Sequence, residues 1–237
     1  MSRSAAPGGF VVAIDGPAAS GKSTTARLAA ERLGFLYLDT GAMYRAVTWK
    51  ALESGVDPGD AVALAELVGR IHVQIVPGGN GARVHVDGED VTEGIREPRI
   101  SRAVSRVSSV PAVRRAMVEI QRRIGRSGAV VVEGRDIGTV VFPDARVKIF
   151  LEASLEERAA RRQAELRRSG VEQSREELAR EICSRDELDS GRADSPLRRA
   201  PDAVHVDTTR LSIDQQVDEV VRVVREALAA GAGGHPA

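Results

Sequence analysis

The chain has 237 residues, enough for one α/β domain carrying an insertion or for two small domains. Basic and acidic residues both number 34, so the formal charge is zero and gives no global reason to expect nucleic acid or membrane binding. Cys183 is the one cysteine and excludes an internal disulfide, and the four scattered histidines have no zinc spacing. No apolar run approaches the roughly 20 residues of a membrane helix and the N-terminus lacks a signal-peptide apolar region, so a soluble cytoplasmic protein is expected. Only Lys22, Lys50 and Lys148 are lysines. That skew, with abundant Ala, Gly and Val, reflects GC-rich coding, so each arginine has to be judged by position rather than by number.

Residues 1–9 and 230–237 are small, polar or glycine-rich and read as frayed tails. Residues 10–14 are a short apolar run that reads as a buried strand. The stretch Gly16-Pro17-Ala18-Ala19-Ser20-Gly21-Lys22-Ser23 then fits G-x-x-x-x-G-K-[ST], and residues 24–33 read as a helix. Strand, glycine loop and helix together make a phosphate cradle, with backbone N–H groups and the helix N-terminus facing the anion. In such a loop Lys22 reaches the β- and γ-phosphates and the Ser23 hydroxyl sits on Mg²⁺. A chance glycine-rich turn is the alternative, and both flanks weigh against it. A nucleoside triphosphate is the expected ligand.

Further along, residues 35–38 read as a second strand ending at Asp39-Thr40-Gly41, followed by helices at 42–54 and 60–70. The texture then changes. Residues 71–76 and 83–86 alternate with period two around a Pro-Gly-Gly-Asn-Gly turn, an antiparallel hairpin, and residues 87–91 suggest a further turn and edge strand. Helices follow at 99–108 and 112–125. A hairpin inside a βα alternation reads as an insertion, placed at 67–107, between core segments 10–66 and 108–229. Buried strands resume at 129–133 and 147–151. A charged helix starts at Ser154, with Glu157 completing a capping box, and residues 203–207 and 213–228 are the last strand and helix. The segment 156–180 is dense in arginine (Arg158, Arg161, Arg162, Arg167, Arg168) and interrupted at Ser169-Gly170, which reads as a lid closing over ATP. Five strands alternating with helices predict an open parallel sheet, with the site at the strand C-terminal ends.

Three more stretches make a family resemblance specific: Asp39-Thr40-Gly41-Ala42-Met43-Tyr44-Arg45, the run from Gly134-Arg135-Asp136 to Asp144-Ala145, and Arg185-Asp186-Glu187-Leu188-Asp189-Ser190-Gly191-Arg192. With the glycine loop, and in this order from Val11 to the last helix, they resemble bacterial-type cytidylate kinases. The resemblance implies an α/β P-loop nucleoside monophosphate kinase fold with a core, a monophosphate-binding insertion and a helical lid. It implies phosphoryl transfer from ATP to CMP or dCMP, with Mg²⁺ bound alongside ATP; a monomer with no nucleic-acid or membrane partner is expected. Residue by residue, Gly16, Pro17, Ala18, Ala19, Ser20, Gly21, Lys22, Ser23 and Thr24 would form the ATP loop. Lys22, Arg135 and Arg192 would be catalytic. Thr40, Arg45, Arg135 and Arg192 would surround the acceptor, the arginines mainly on its phosphate. Arg185 and Asp189 lie where the family holds the ribose hydroxyls, and Ser105, Arg114 and Asp136 where it reads cytosine. One departure is Ala18, a serine able to touch the acceptor phosphate in some members; here only the loop backbone is left to donate.

The chemistry agrees with that reading. A monophosphate acceptor is already an oxyanion near neutral pH, so no general base is required. The task is to hold two polyanions in line, by positioning and charge neutralisation. Each residue has a plainer alternative. Arg45 is equally a solvated face residue, Arg135-Asp136 a structural ion pair, and Ser105 competes with Ser101, Ser108 and Ser109. The i, i+4, i+7 spacing of Arg185, Asp189 and Arg192 puts all three on one helical face and also suits a surface salt-bridge ladder. Glu133 is either an acid acting on Mg²⁺ through water or structural. Three other functions are weighed, the nearest a kinase for another nucleoside monophosphate, with a different base preference. A regulatory GTPase lacks its N-K-x-D stretch here. A kinase for a small hydroxyl metabolite needs a carboxylate near the acceptor hydroxyl, with Asp39 or Asp136 as candidates.

Overall fold

Five consecutive buried residues form β1 (Val11–Asp15). It pairs in parallel with β6 (Val130–Gly134) on one side and β7 (Val147–Glu152) on the other. β7 pairs in parallel with β8 (Val204–Asp207), and β2 (Leu36–Asp39) completes a five-stranded sheet of order β2-β6-β1-β7-β8. Strands covered on both faces have no reason to alternate, which is why β1 and β6 read as unbroken apolar runs. The computed structural model describes residues 9–78, 81–168 and 170–232; the expected tails at 1–8 and 233–237, and Ser169, lie outside them. The chain divides into two units, Met1–Tyr37 with Gly125–Ala237, and Leu38–Ile124.

In the first unit, Val12, Ile14, Val131, Ile149 and Leu151 of the sheet pack against α1 (Lys22–Leu33) and α8 (Ile213–Ala232). The α1 contacts are Ala26, Ala29 and Ala30, whose small side chains let the helix lie close to the strands, while α8 contributes Val217, Val220, Val221 and Val224. α8 runs past the expected end at residue 228 through Ala232, because the alanine-rich end is a good helix former; residues 230–232 are helical rather than tail. The charged segment forms two helices, α6 (Leu155–Arg168) and α7 (Arg175–Ser190), around a small core of Ala159, Leu178 and Ile182. Gly170, at φ +75°, ends α6 in the left-handed conformation that favours glycine.

The complete capping box is at α7. The Ser174 hydroxyl accepts the Glu177 N–H at 3.2 Å, and the Glu177 carboxylate accepts the Ser174 N–H at 3.1 Å. At Ser154 only half of the expected box forms: its hydroxyl accepts the Glu157 N–H at 3.2 Å, but the Glu157 carboxylate pairs with Arg161 at 2.9 Å.

The second unit holds α2 (Thr40–Glu53), α3 (Ala61–Val68), the antiparallel strands β3 (Val73–Gly78), β4 (Gly81–Val86) and β5 (Glu89–Asp90), then α4 (Pro98–Ser109) and α5 (Pro111–Gly125). The period-two pattern holds, since Val73, Val84 and Val86 are buried and Val73 pairs with Val86. The unit is wider than the segment 67–107 because α2 and α4 pack together and α2 packs on β4. Shared apolar contact, rather than the change of texture along the chain, sets its extent. A Cβ on Gly94 would meet the Trp49 ring nitrogen at 2.9 Å, so glycine is needed where the short turn Gly94–Arg96 lies on α2. Among the described residues no helix is long and apolar enough to cross a membrane.

Candidate active site

The glycine loop leaves β1 through Gly16, where a Cβ would stand 2.1 Å from the Leu151 carbonyl oxygen of β7, so no side chain fits. Gly21, at φ +91°, precedes α1 with no side-chain cap, and the first turn carries no acidic residue. The first N–H groups of α1 are thus left for an anion. The loop is braced from behind. The Ser20 carbonyl accepts from Arg161 and from the Thr208 hydroxyl, each at 3.1 Å, and Thr25 donates to Gln216 at 2.9 Å. Because a trans peptide points its C=O and following N–H in opposite directions, anchoring the Ser20 carbonyl turns the Gly21 N–H the other way. The Ser20 hydroxyl itself is buried without a hydrogen-bond partner, which a polar ligand in the loop would supply.

Lys22 is buried, and its ammonium donates to the Pro17 carbonyl at 2.8 Å. Burial, with Arg135 adding to it, brings its pKa down to about 7, against the pull of Glu133. An ammonium held this way gains from added negative charge. Glu133, next to last in β6, is buried and accepts the Tyr37 hydroxyl at 2.9 Å. Among the described residues no three His, Cys, Asp or Glu side chains converge to hold a metal alone. The Ser23 hydroxyl, exposed at the start of α1, and the Glu133 carboxylate are oxygen donors of the kind Mg²⁺ takes when it brings phosphate and water ligands of its own.

Asp189 is buried among arginines. Its carboxylate accepts from Arg135 Nε at 2.8 Å and from Arg192. Burial alone would raise this carboxyl, but Arg135, Arg192 and Arg185 outweigh it and hold the group below the usual carboxylate range. Two sequence expectations change here. Arg192 is not on the α7 face, because the helix ends at Ser190 and Arg192 folds back after Gly191. Nor is the group a surface ladder, since the Arg192 and Asp189 side chains are only 8% and 3% exposed.

Asp136 is buried and precedes a single π-helical turn, Ile137–Val141. That turn is held by Asp15, which sequence reasoning passed over: its carboxylate accepts the N–H groups of Ile137 and Gly138, both at 2.8 Å. Burial raises the Asp15 pKa from 3.8 to about 7, against those two donors. The folded protein therefore binds more protons than the unfolded chain between these values. Asp15 costs stability progressively as pH rises from about 4 to about 7, and fully above that. In Asp15→Asn this titration is gone. Urea unfolding at about pH 5 and about pH 8 should show the variant gaining on wild type by about 1–3 kcal/mol at the higher pH. An equal difference at both pH values would mean Asp15 is ionised throughout.

The remaining expected residues belong to the second unit. Thr40 is buried at the start of α2. Arg45, a turn further on, is tied to Asp39 at 2.8 Å, and the other oxygen of Asp39 caps the Ala42 N–H at 2.9 Å. Arg45 is thus no freely solvated face residue. Arg114 is buried on α5, donates to the Ser108 carbonyl at 3.3 Å, and places its guanidinium 5.3 Å from the centre of the Tyr44 ring. Ser105 is buried on α4 one turn before Ser108, so Arg114 and the end of α4 come together; the aromatic partner Tyr44 was not foreseen. Within the loop whose backbone is expected to donate to a phosphate, the Ala18 N–H donates to Asp186 at 3.1 Å.

An uncapped helix behind a glycine loop, a buried lysine beside it and an arginine-clasped carboxylate, all on a parallel sheet, define a P-loop kinase. The family model described as "Cytidylate kinase" matches residues 12–226. A cytidylate kinase of Carboxydothermus hydrogenoformans is 51% identical over 213 residues, covering 90% of this chain and 96% of that protein. One of Geobacillus thermodenitrificans is 50% identical over 217 residues, covering 92% and 97%. The chain belongs to the cytidylate kinase family. Among solved structures, an uncharacterized protein from Eubacterium ventriosum matches with a TM-score of 0.50 at 12% identity, covering 92% of this chain and 98% of that one, a likeness of fold.

Proposed function

We propose that the protein transfers the γ-phosphoryl group of ATP to the 5′-phosphate of CMP or dCMP, giving ADP and CDP or dCDP. The observation that carries this reading is the cationic cluster of Lys22, Arg135, Arg185 and Arg192, which gathers in the first unit with Asp189 as a buried counter-charge. Residues 16–24 hold the ATP phosphates. Lys22, Arg135 and Arg192 neutralise charge on the transferring group. Thr40 and Arg45 join Arg135 and Arg192 in holding the acceptor phosphate, Arg185 and Asp189 take the ribose hydroxyls, and Ser105, Arg114 and Asp136 read cytosine. Ser23, with Glu133 acting through water, would hold the Mg²⁺ that accompanies ATP, and that ion would supply positive charge against the phosphates. The acceptor oxygen is already ionised, so these groups position and neutralise rather than deprotonate. Residues 67–107 serve as the monophosphate-binding insertion, and residues 156–180 as the lid that keeps water from the γ-phosphate. We take it to act as a monomer in the cytoplasm on its nucleotide substrates. The rival hydroxyl kinase loses one of its two candidate bases, because Asp39 is committed to Arg45 and Ala42.

A coupled ADP-release assay across CMP, dCMP, UMP, AMP, GMP, dTMP and shikimate tests this, with CMP and dCMP expected well ahead. Cytosine offers an N4 amino donor where uracil has an O4 acceptor. The Asp136 carboxylate accepts from the first and repels the second, and a buried polar group without its partner costs roughly 1–3 kcal/mol. Asp136→Asn, whose amide can donate to O4, should narrow the CMP/UMP ratio by about tenfold or more. If wild type uses UMP as well as CMP, or the substitution leaves the ratio unmoved, the base-reading assignment fails while the kinase assignment stands on the loop.

A further inference from the structure

Both polar backbone groups of one loop residue are held by a charged pair from the two helices that follow β7. Ala18 donates its N–H to one oxygen of Asp186 at 3.1 Å, and its carbonyl accepts from Arg158 at 3.2 Å. Arg158, on α6, pairs with the other oxygen of Asp186, on α7, and the two side chains are only 11% and 20% exposed. The next residue, Ala19, sits at φ +58°, a conformation unfavourable for an alanine, and packs against the Ala159–Leu178–Ile182 core between those helices. The loop apex is therefore gripped through its N–H, its C=O and the methyl group beside them.

A carboxylate that accepts a phosphate-loop N–H while facing a guanidinium makes the two contacts a phosphate oxygen would make, with donors of the kind phosphates use. It also leaves donors over. Arg158 Nε is buried without a hydrogen-bond partner, as is the Ser20 hydroxyl inside the loop, so the cradle offers more donors than one carboxylate can use. Without that carboxylate, a guanidinium only 11% exposed would lose the anion it pairs with.

We propose that Asp186 is an internal stand-in for a phosphate: its carboxylate holds the loop apex and Arg158 in place until ATP arrives, and the triphosphate expels it. The displaced carboxylate and the incoming phosphate are both anions, so they compete for one set of donors, and Arg158 passes from the first to the second. Asp186 lies three residues before Asp189 on the same helix, so its release loosens α7 at the point where Arg135 and Arg192 are clasped. ATP binding thereby reaches the acceptor side of the reaction. The inference rests on the loop holding ATP phosphates.

Calorimetric titration of wild type, Asp186→Asn and Asp186→Ala with ATP, inorganic tripolyphosphate and adenosine tests it. With the occupant removed, ATP and tripolyphosphate should bind about three- to tenfold tighter in Asp186→Ala, less so in Asp186→Asn, with adenosine unchanged. Weaker or unchanged phosphate binding in Asp186→Ala would make Asp186 a brace and overturn the proposal. A wild type that binds no tripolyphosphate would overturn the loop reading with it. Wild-type crystals soaked in tripolyphosphate remove any dependence on the variants' folding: Asp186 must leave the Ala18 N–H when the loop is filled, and a carboxylate still in place beside bound phosphate refutes the exchange.

Discussion

Replacing Lys22 by alanine should lower kcat by on the order of 10²-fold or more, the range for losing one preorganised charge at a reacting group. The fold should not suffer. The Lys22 ammonium is buried, and burial with Arg135 and Arg185 brings its pKa down to about 7 against Glu133 and Asp189, so removing it relieves repulsion at the cost of those two attractions and one bond to the Pro17 carbonyl. Turnover measured beside urea unfolding separates the two effects: kcat should collapse while the unfolding free energy stays within about 1 kcal/mol of wild type or rises. A variant turning over near the wild-type rate would remove Lys22 from the chemistry.

Asp189→Ala is expected to be the costliest single change for stability. It leaves the Arg135 and Arg192 guanidinium groups without the carboxylate that both of them bond. Breaking a buried ion pair from one side costs roughly 3–5 kcal/mol, because the surviving charges stay desolvated. The depressed Asp189 pKa fixes the pH dependence. Its stabilisation is present above the unfolded value of 3.8 and is lost as pH falls through the lower folded value. The gap between wild type and variant, measured by urea unfolding, should therefore be full at neutral pH and close on acidification below about pH 3.8. Added sulfate should restore part of the loss at neutral pH by giving the arginines another anion. A variant as stable as wild type at neutral pH would show that the arginines reach solvent on their own.

Features that one element carries by itself were legible in the chain. β1 and β6 announce themselves as apolar runs, the β3–β4 hairpin by its period, and the phosphate loop by its glycines and lysine. Features that need two distant segments were not. Asp15 finds its partners 122 residues away or more, and Asp186 meets Ala18 across 168 residues, separations at which no local pattern operates. The helical spacing of Arg185, Asp189 and Arg192 misled because the chain stops being helical at Ser190, after which Arg192 reaches Asp189 by folding back. At Ser154 and Glu157 the capping spacing was present, but Arg161 was the stronger partner for the glutamate. The width of the second unit escaped because α2 resembles any helix of a βα alternation until its contacts with α4 and β4 are known.

The chain has one tryptophan, Trp49, and it lies on α2 against Gly94. Tryptophan emission from this protein therefore reports from the second unit, whereas far-ultraviolet circular dichroism averages over every helix and strand. A melt followed by fluorescence and one followed by dichroism are measurements on different parts of the molecule. They superimpose only where the two units lose their structure in a single cooperative step.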